Sequence, residues 1–287
     1  MYQKTTQSIT NKLETGLSGC SLELINDKVL RKRSPSIEYD SRLLSQAEKQ
    51  KVFSNRIYKN VDAPKVYDIQ SDYFDMEYIP GYSFSEFFST ASVNDVEFVV
   101  QTLFDYFDSL ISTSRMVDVK SKLLKKLDSL EEKTFHKQYI GFLRKYVETN
   151  SMIVPHTFCH GDLTFSNIIF HKNRLFFIDF LDCYVDTFLS DLVKVKQDLH
   201  HLWGLQTQNC YTHRVEQIYR WAWSKLEDRY STFMYESFDV LDVMNSLRIE
   251  PYLTSDSQRV ILDKMVKSTK IYANFISSNG GTFKTVS

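Results

Sequence analysis

The sequence predicts an α+β protein of two lobes, a small strand-rich one followed by a larger, mainly helical one. Three observations carry this expectation. Short strand-like runs with turn signals crowd the first 80 residues, a Pro80-Gly81 pair breaks that pattern, and amphipathic helical spacing dominates beyond it. With 287 residues, 43% of them hydrophobic, the chain can fill two cores. The expected division is an N-terminal lobe over residues 1–79 and a C-terminal lobe over 80–287.

Each element follows from its residues. GLSGCSLELINDKVLRKRS (16–34) holds a glycine turn, an alternating run, an Asn-Asp turn and an apolar-basic strand. In EYDSRLLSQAEKQKVFSN (38–55), Leu43, Leu44, Ala47, Val52 and Phe53 recur at mostly helical spacing. APKVYDIQ and DYFDMEYI read as two further short strands. Past Gly81, residues 93–112, 118–131 and 135–149 are amphipathic and helical. They give way to a polar stretch, FCHGDLTFSNIIF (158–170). NIIF, a His-Lys-Asn turn and RLFFIDF then form a hairpin embedded in the second lobe, and helices resume at Asp191. The terminal SSNGGTFKTVS has no periodicity and is expected to fray.

Composition removes several classes of function. Lys+Arg is 35 against Asp+Glu 36, so no global charge favours nucleic acid or an anionic membrane. The four cysteines, Cys20, Cys159, Cys183 and Cys210, contain no C-x-x-C pair and read as reduced thiols. The N-terminal MYQKTTQSITNKLE lacks an apolar core, and no apolar run approaches the ~20 residues that span a bilayer. A soluble, cytoplasmic protein is expected, with its oligomeric state open.

The polar stretch carries the chemistry. Phosphoryl transfer needs a carboxylate to orient an attacking hydroxyl and oxygen ligands to hold Mg²⁺ against phosphates. H-G-D-x-x-x-x-N supplies Asp162 and Asn167 on one loop, and Asp179 ends the second hairpin strand. Magnesium suits Asn167 with Asp179, which leaves Asp162 to accept the hydroxyl proton. The plain alternative is a structural turn with buried polar caps.

HGDLTFSNIIF followed by LFFIDF resembles the aminoglycoside phosphotransferase and choline kinase family, a branch of the protein-kinase-like fold. The resemblance implies Asp162 as catalytic base, Asn167 and Asp179 as metal ligands, and His160 as a structural brace. It also implies ATP or GTP as co-substrate. Protein kinases carry an arginine where this chain has Gly161, and a glycine where it has Leu181. Both departures point to a small-molecule acceptor.

The same resemblance places the nucleotide end. In GLSGC, backbone N–H groups around Ser18 would approach phosphates, although a simple turn between strands is an equal rival. Arg31 aligns with the family's phosphate-binding lysine. Lys32, on the opposite face of the strand, is the alternative if the register slips by one. Glu48 matches the helix glutamate that pairs with that cation, with a solvated helix-surface carboxylate as its rival. DMEYIPG resembles the segment between lobes, where Glu77 and Ile79 would bind adenine through main-chain groups. Asp191 resembles the aspartate that opens a helix and tethers the catalytic loop, and a plain N-terminal helix acid fits equally.

The acceptor end is less marked. Asp191, Lys194 and Asp198 fall near one helix face, and Asp198 is a candidate contact for a hydroxylated acceptor, with a solvated face as the default. His200 and His201 read as ordinary surface or core residues. Trp221 lies about 120° from the apolar stripe of its helix, counting ~100° per residue, and either lines a pocket or packs on a neighbour. FLDCYVDTFLSDLVKVKQDL resembles kinase-like proteins of bacterial surface-polysaccharide clusters, which favours a sugar, polyol or amino alcohol. The expected function is a Mg²⁺-dependent small-molecule kinase. Its rivals are an antibiotic phosphotransferase, a nucleotide-binding pseudokinase and a protein kinase, the last disfavoured by Gly161 and Leu181.

Overall fold

The computed structural model describes residues 12–13, 19–207 and 212–278. Ser18, the GLSGC turn before Gly19, Cys210 and the tail beyond Ser278 lie outside the described residues.

The chain divides into two compact units. One takes the chain up to Tyr82 together with Asn167–Asp182, and the other takes Ser83–Ser166 and resumes at Cys183. The break thus falls at Tyr82 rather than Ile79. The hairpin expected within the helical lobe groups instead with the strand-rich unit.

That unit begins with β1 (Lys12–Leu13), β2 (Ser21–Asn26), β3 (Val29–Arg33) and helix α1 (Ile37–Ser54). It continues through β4 (Val61–Asp62), β5 (Val66–Ile69), β6 (Tyr73–Glu77) and β7 (Tyr82–Ser83). One sheet runs β1-β2-β3-β6-β5, with Arg31 opposite Asp75 and Lys32 opposite Phe74. Residues 43, 46, 47, 50 and 53 line the buried face of α1, at i, i+3, i+4 spacing. Leu43 and Ala47 join Cys20, Phe74 and Met76 in the core. Val52, expected to be buried, is exposed on the opposite side.

The hairpin belongs here for physical reasons. Three contacts tie it to the strand-rich unit. Its second strand pairs in parallel with β4, through Leu175 with Val61 and Phe176 with Asp62. Phe53 of α1 packs on Phe177 and Phe180, with ring centroids 5.8 and 4.9 Å apart. Gly81 runs so close to the first hairpin strand that a Cβ there would meet Ile169 and sit 2.6 Å from the Phe170 carbonyl oxygen. Only glycine fits.

The second unit is mainly helical: α2 (Phe84–Thr90), α3 (Val93–Ser112), α4 (Lys120–Glu131) and α5 (Lys137–Thr149) precede the polar loop. Ser92 and Asp95 cap α3 reciprocally, which explains its sharp start. Strands β8 (Arg115–Asp118) and β9 (Ile153–His156) pair antiparallel around α4 and α5. They escape sequence reading because each is four residues long, β9 contains Pro155, and their pairing is long-range.

After β10 (Ile168–His171) and β11 (Arg174–Phe177) of the hairpin come α6 (Phe188–Leu199), α7 (Trp203–Thr207) and α8 (His213–Tyr230). Then follow α9 (Glu236–Ile249), α10 (Asp256–Lys267) and α11 (Lys270–Ser278). Aromatic rings fill the core, as where Phe165 packs on Phe84 and Tyr219 at 4.6 and 5.4 Å. Cys159 and Cys183, 24 residues apart, are joined by a disulfide, which corrects the expectation of separate thiols for this pair. Among the described residues, no helix is long and apolar enough to cross a membrane.

Candidate active site

The hairpin positions two of the expected residues. Lys172 and Asn173 adopt positive φ (47° and 56°), forming a tight two-residue turn. At the other end of the ladder, Ile168 faces Phe177 and the Ile178 N–H donates to the Asn167 carbonyl at 3.0 Å. Asn167 and Asp179 therefore emerge together at the open end of the hairpin. Asp179 is left-handed (φ 61°), so the chain turns away as soon as the strand ends.

Strand alternation sends Arg31 and Lys32 to opposite faces of β3. Lys32 is buried, and its Nζ reaches Asp179 Oδ1 at 2.7 Å and Gln46 Oε1 at 3.0 Å. Arg31 is engaged elsewhere: Nε and Nη2 donate to the two Asp75 carboxylate oxygens at 2.7 and 2.8 Å, over the Tyr73 ring. The expectation for Arg31 is thereby corrected. The cation beside Asp179 is Lys32, the alternative that a one-residue slip left open.

Glu48 is corrected for a related reason. It lies two residues from Gln46, about 200° around α1, and it is exposed. The α1 side chain that meets Lys32 is the neutral Gln46, whose Nε2 also donates to the Tyr39 hydroxyl at 3.1 Å. The same helix holds the segment after Asp179: Ser45 donates to Asp182 at 2.6 Å and Lys49 to the Leu181 carbonyl.

At the end of β6, the Glu77 N–H donates to the Lys65 carbonyl and the Tyr78 N–H to the Lys28 carbonyl, each at 2.8 Å. Pro80 has no N–H. Of the two expected residues, Ile79 therefore keeps a main-chain donor, while Glu77 could serve a ligand only through its carbonyl.

The polar loop, in the second unit, is held by α6. Asp191 is fully buried and accepts the His160 and Gly161 N–H groups at 2.6 and 2.8 Å. It is both a first-turn helix acid and a tether for the loop. Lys194, one turn on, reaches Asp162 Oδ1 at 2.9 Å. Asp198, another turn on, accepts the Phe165 N–H at 2.7 Å. His160 is buried, with Nδ1 accepting the Asp162 N–H at 3.2 Å. Gly161 has φ 93°, which side chains rarely adopt, so backbone geometry itself calls for glycine between His160 and Asp162.

Of the two acceptor candidates, Asp198 is reassigned. Asp198 is buried, and besides Phe165 it takes the Gly204 N–H at 3.1 Å, so its oxygens face backbone rather than a ligand. Burial pushes its carboxyl up to about 6, against the opposing pull of those two N–H groups and Lys194. Trp221 is 36% exposed on α8, beside Lys225.

Charge is arranged differently around Asp162, whose side chain is 27% exposed. Burial alone would raise its carboxyl. Lys194, helped by His160 and Arg248, outweighs that and holds it below the ordinary carboxylate range. Asp162 is thus a carboxylate at neutral pH, with Oδ1 on Lys194.

Residues 23–228 match the model of the phosphotransferase enzyme family. The chain belongs to that family. Its members transfer a phosphoryl group to an alcohol acceptor, and the chain is an enzyme of this kind. Among solved structures it is similar to APH(2'')-IIa in complex with streptomycin and ATP, at 17% identity and a TM-score of 0.56 over 92% of this chain and 93% of that one. It is similar to APH(2'')-IIia with GDP and kanamycin, at 11% identity and a TM-score of 0.56 over 96% and 94% of the two chains. A choline/ethanolamine kinase family protein from Mesorhizobium loti matches at 14% identity and a TM-score of 0.50, over 94% and 91%. These likenesses establish a protein-kinase-like fold. No curated protein matches the sequence.

Sequence reasoning missed Gln46 and Lys194 as site residues. Gln46 is neutral where a carboxylate was sought. Lys194 was legible as part of a polar stripe, but its burial against Asp162 depends on where the loop packs.

Proposed function

We propose that the enzyme is a kinase transferring the γ-phosphate of ATP or GTP to a hydroxyl of a small metabolite such as a sugar, polyol or amino alcohol. The observation that carries this reading is Asp162: an ionised carboxylate on a loop clamped at both ends, with one oxygen engaged by Lys194. Such a group can orient a hydroxyl and take its proton as the bond to phosphorus forms.

Lys32 is assigned to the nucleotide phosphates in place of Arg31, because its charge is presented at Asp179. The Asp179 side chain keeps 45% of its surface exposed, and it emerges beside Asn167. A carboxylate with an amide oxygen is a donor set that fits Mg²⁺, and these two residues would hold it. When bound, Mg²⁺ neutralises charge on the phosphates. Ile79 and Glu77 would bind the base through main-chain groups.

The test is Asp162→Asn. Nucleotide affinity, read by calorimetry, should stay within about twofold, while acceptor-dependent transfer falls about 10²- to 10⁴-fold. Unchanged turnover in this variant would sink the assignment.

A further inference from the structure

Within the second unit, a small cleft lies between α6 and α9, lined by Ser190 and Lys194 from one helix and Asn245 and Arg248 from the other. Gly161 of the polar loop and Tyr184 complete the wall. Lys194 also bonds Asp162 at 2.9 Å, so the cleft opens one side chain away from the carboxylate assigned as base.

The charge of this wall is one-sided. Its lining contains two cations and no carboxylate. Lys194 is balanced by Asp162 and further bonded to Gln197 Oε1 at 3.1 Å, an oxygen that Asn245 also shares. No carboxylate among the described residues lies within ion-pair distance of Arg248. The acids near it on the chain are taken: Asp242 by Lys196 at 2.6 Å, and Glu250 by Thr134 and His136. The Arg248 guanidinium instead sits 5.8 Å from the Tyr184 ring centroid, and Lys126 approaches the same ring at 5.8 Å. Burial, Arg248 and Lys133 together push the Lys126 ammonium down, as expected where like charges are gathered.

A plainer account makes Arg248 a last-turn cation favoured by the α9 dipole. That explains a cation at the helix end. It does not explain why the cation lines a cleft with no carboxylate at ion-pair distance, its charge felt by Asp162 only from further off, and with Lys126 drawn to the same ring. A cationic acceptor would meet repulsion here. A choline-type cage is also missing, since the single aromatic residue of the lining already attracts two cations.

We infer that the acceptor is a hydroxylated small molecule that also carries an anionic group, a phosphate ester or a carboxylate, docked on Arg248. The inference rests on the kinase reading of Asp162. Guanidinium recognises both anions through paired N–H donors, and phosphate offers it more acceptor oxygens.

Matched ligands separate the possibilities: glucose 6-phosphate and glucuronate as the anionic arms, glucose as the neutral one, and kanamycin as the cationic one. Binding is measured by calorimetry with a non-hydrolysable nucleotide present, and transfer by mass spectrometry of the product. One or both anionic ligands should bind at least about tenfold tighter than glucose, and Arg248→Gln should weaken that binding about ten- to hundredfold. Arg248→Lys should recover part of it, and it controls for loss of fold together with a melting curve. Equal binding of anionic and neutral ligands, preference for kanamycin, or indifference to Arg248→Gln overturns the inference and leaves the kinase reading standing. Anion-selective binding without transfer from ATP or GTP to any ligand, Asp162 being intact, would instead tell against the kinase reading.

Discussion

In the strand-rich unit, Asp179 leaves nearly half its side chain exposed and leans on one lysine, itself held by a neutral glutamine. In the helical unit, Asp162 is backed by a buried row on α6, where Asp191, Lys194 and Asp198 each grip a different part of one loop. The contrast fits two tasks. A group that shares its charge with an incoming nucleotide gains from having few partners and open surface. A group that must orient a hydroxyl gains from a fixed backbone and a fixed protonation state. On the proposed reading, the first region serves exchange and the second position.

If that division is right, removing the one strong partner in the exchange region should act mainly on nucleotide binding. Lys32→Met is expected to weaken nucleotide affinity about ten- to hundredfold, read by calorimetry. An affinity within twofold of wild type would remove Lys32 from the phosphate assignment and erase the contrast.

The positional region should fail differently. Lys194→Met takes away the largest influence that lowers the Asp162 carboxyl and leaves burial, which raises it. Asp162 then protonates at higher pH, so the acid limb of kcat/KM moves towards neutrality while nucleotide affinity holds. In the native enzyme the carboxyl is lowered, so on the proposed role its contribution to activity is present at neutral pH and lost as pH falls through that lowered value. A pH–rate profile that Lys194→Met does not move would break the comparison on this side.

The smallest effects sharpen the boundary of the site. Glu48→Ala and Trp221→Ala remove exposed side chains and should each change kcat/KM less than about threefold, with stability within about 0.5 kcal/mol. Gln46→Leu, by contrast, removes one of the two bonds that hold the buried Lys32 and should weaken nucleotide binding beyond Glu48→Ala.

Much of the candidate site was legible because its signals are local. The His160-Gly161-Asp162 run, Asn167, the turn at Lys172-Asn173 and Asp179 lie on one short stretch whose hairpin register follows from strand alternation. The turn residues act within two positions of themselves. The errors arose where function depends on which face a regular element buries. Arg31 and Lys32 differ by one residue, and only the pairing of β3 with β6 decides which one meets Asp75. Glu48 attracted notice for its charge, but α1 buries Gln46 and Gln50, and two polar residues on a core face are not what an apolar stripe advertises. The α6 row was visible as a periodicity. Its meaning came from the loop that covers it, a long-range contact that periodicity cannot supply. The Cys159–Cys183 pairing has the same character: two isolated cysteines meet because the loop and the segment after the hairpin fold together.

The most direct test sets Asp162→Asn beside Lys32→Met and measures nucleotide affinity and single-turnover phosphoryl transfer in the same preparations. Lys32→Met should lose affinity and transfer together, whereas Asp162→Asn should bind nucleotide normally and fail to transfer it. Transfer that survives in Asp162→Asn, or nucleotide binding that falls as far there as in Lys32→Met, would contradict the assignment of exchange to one region and position to the other.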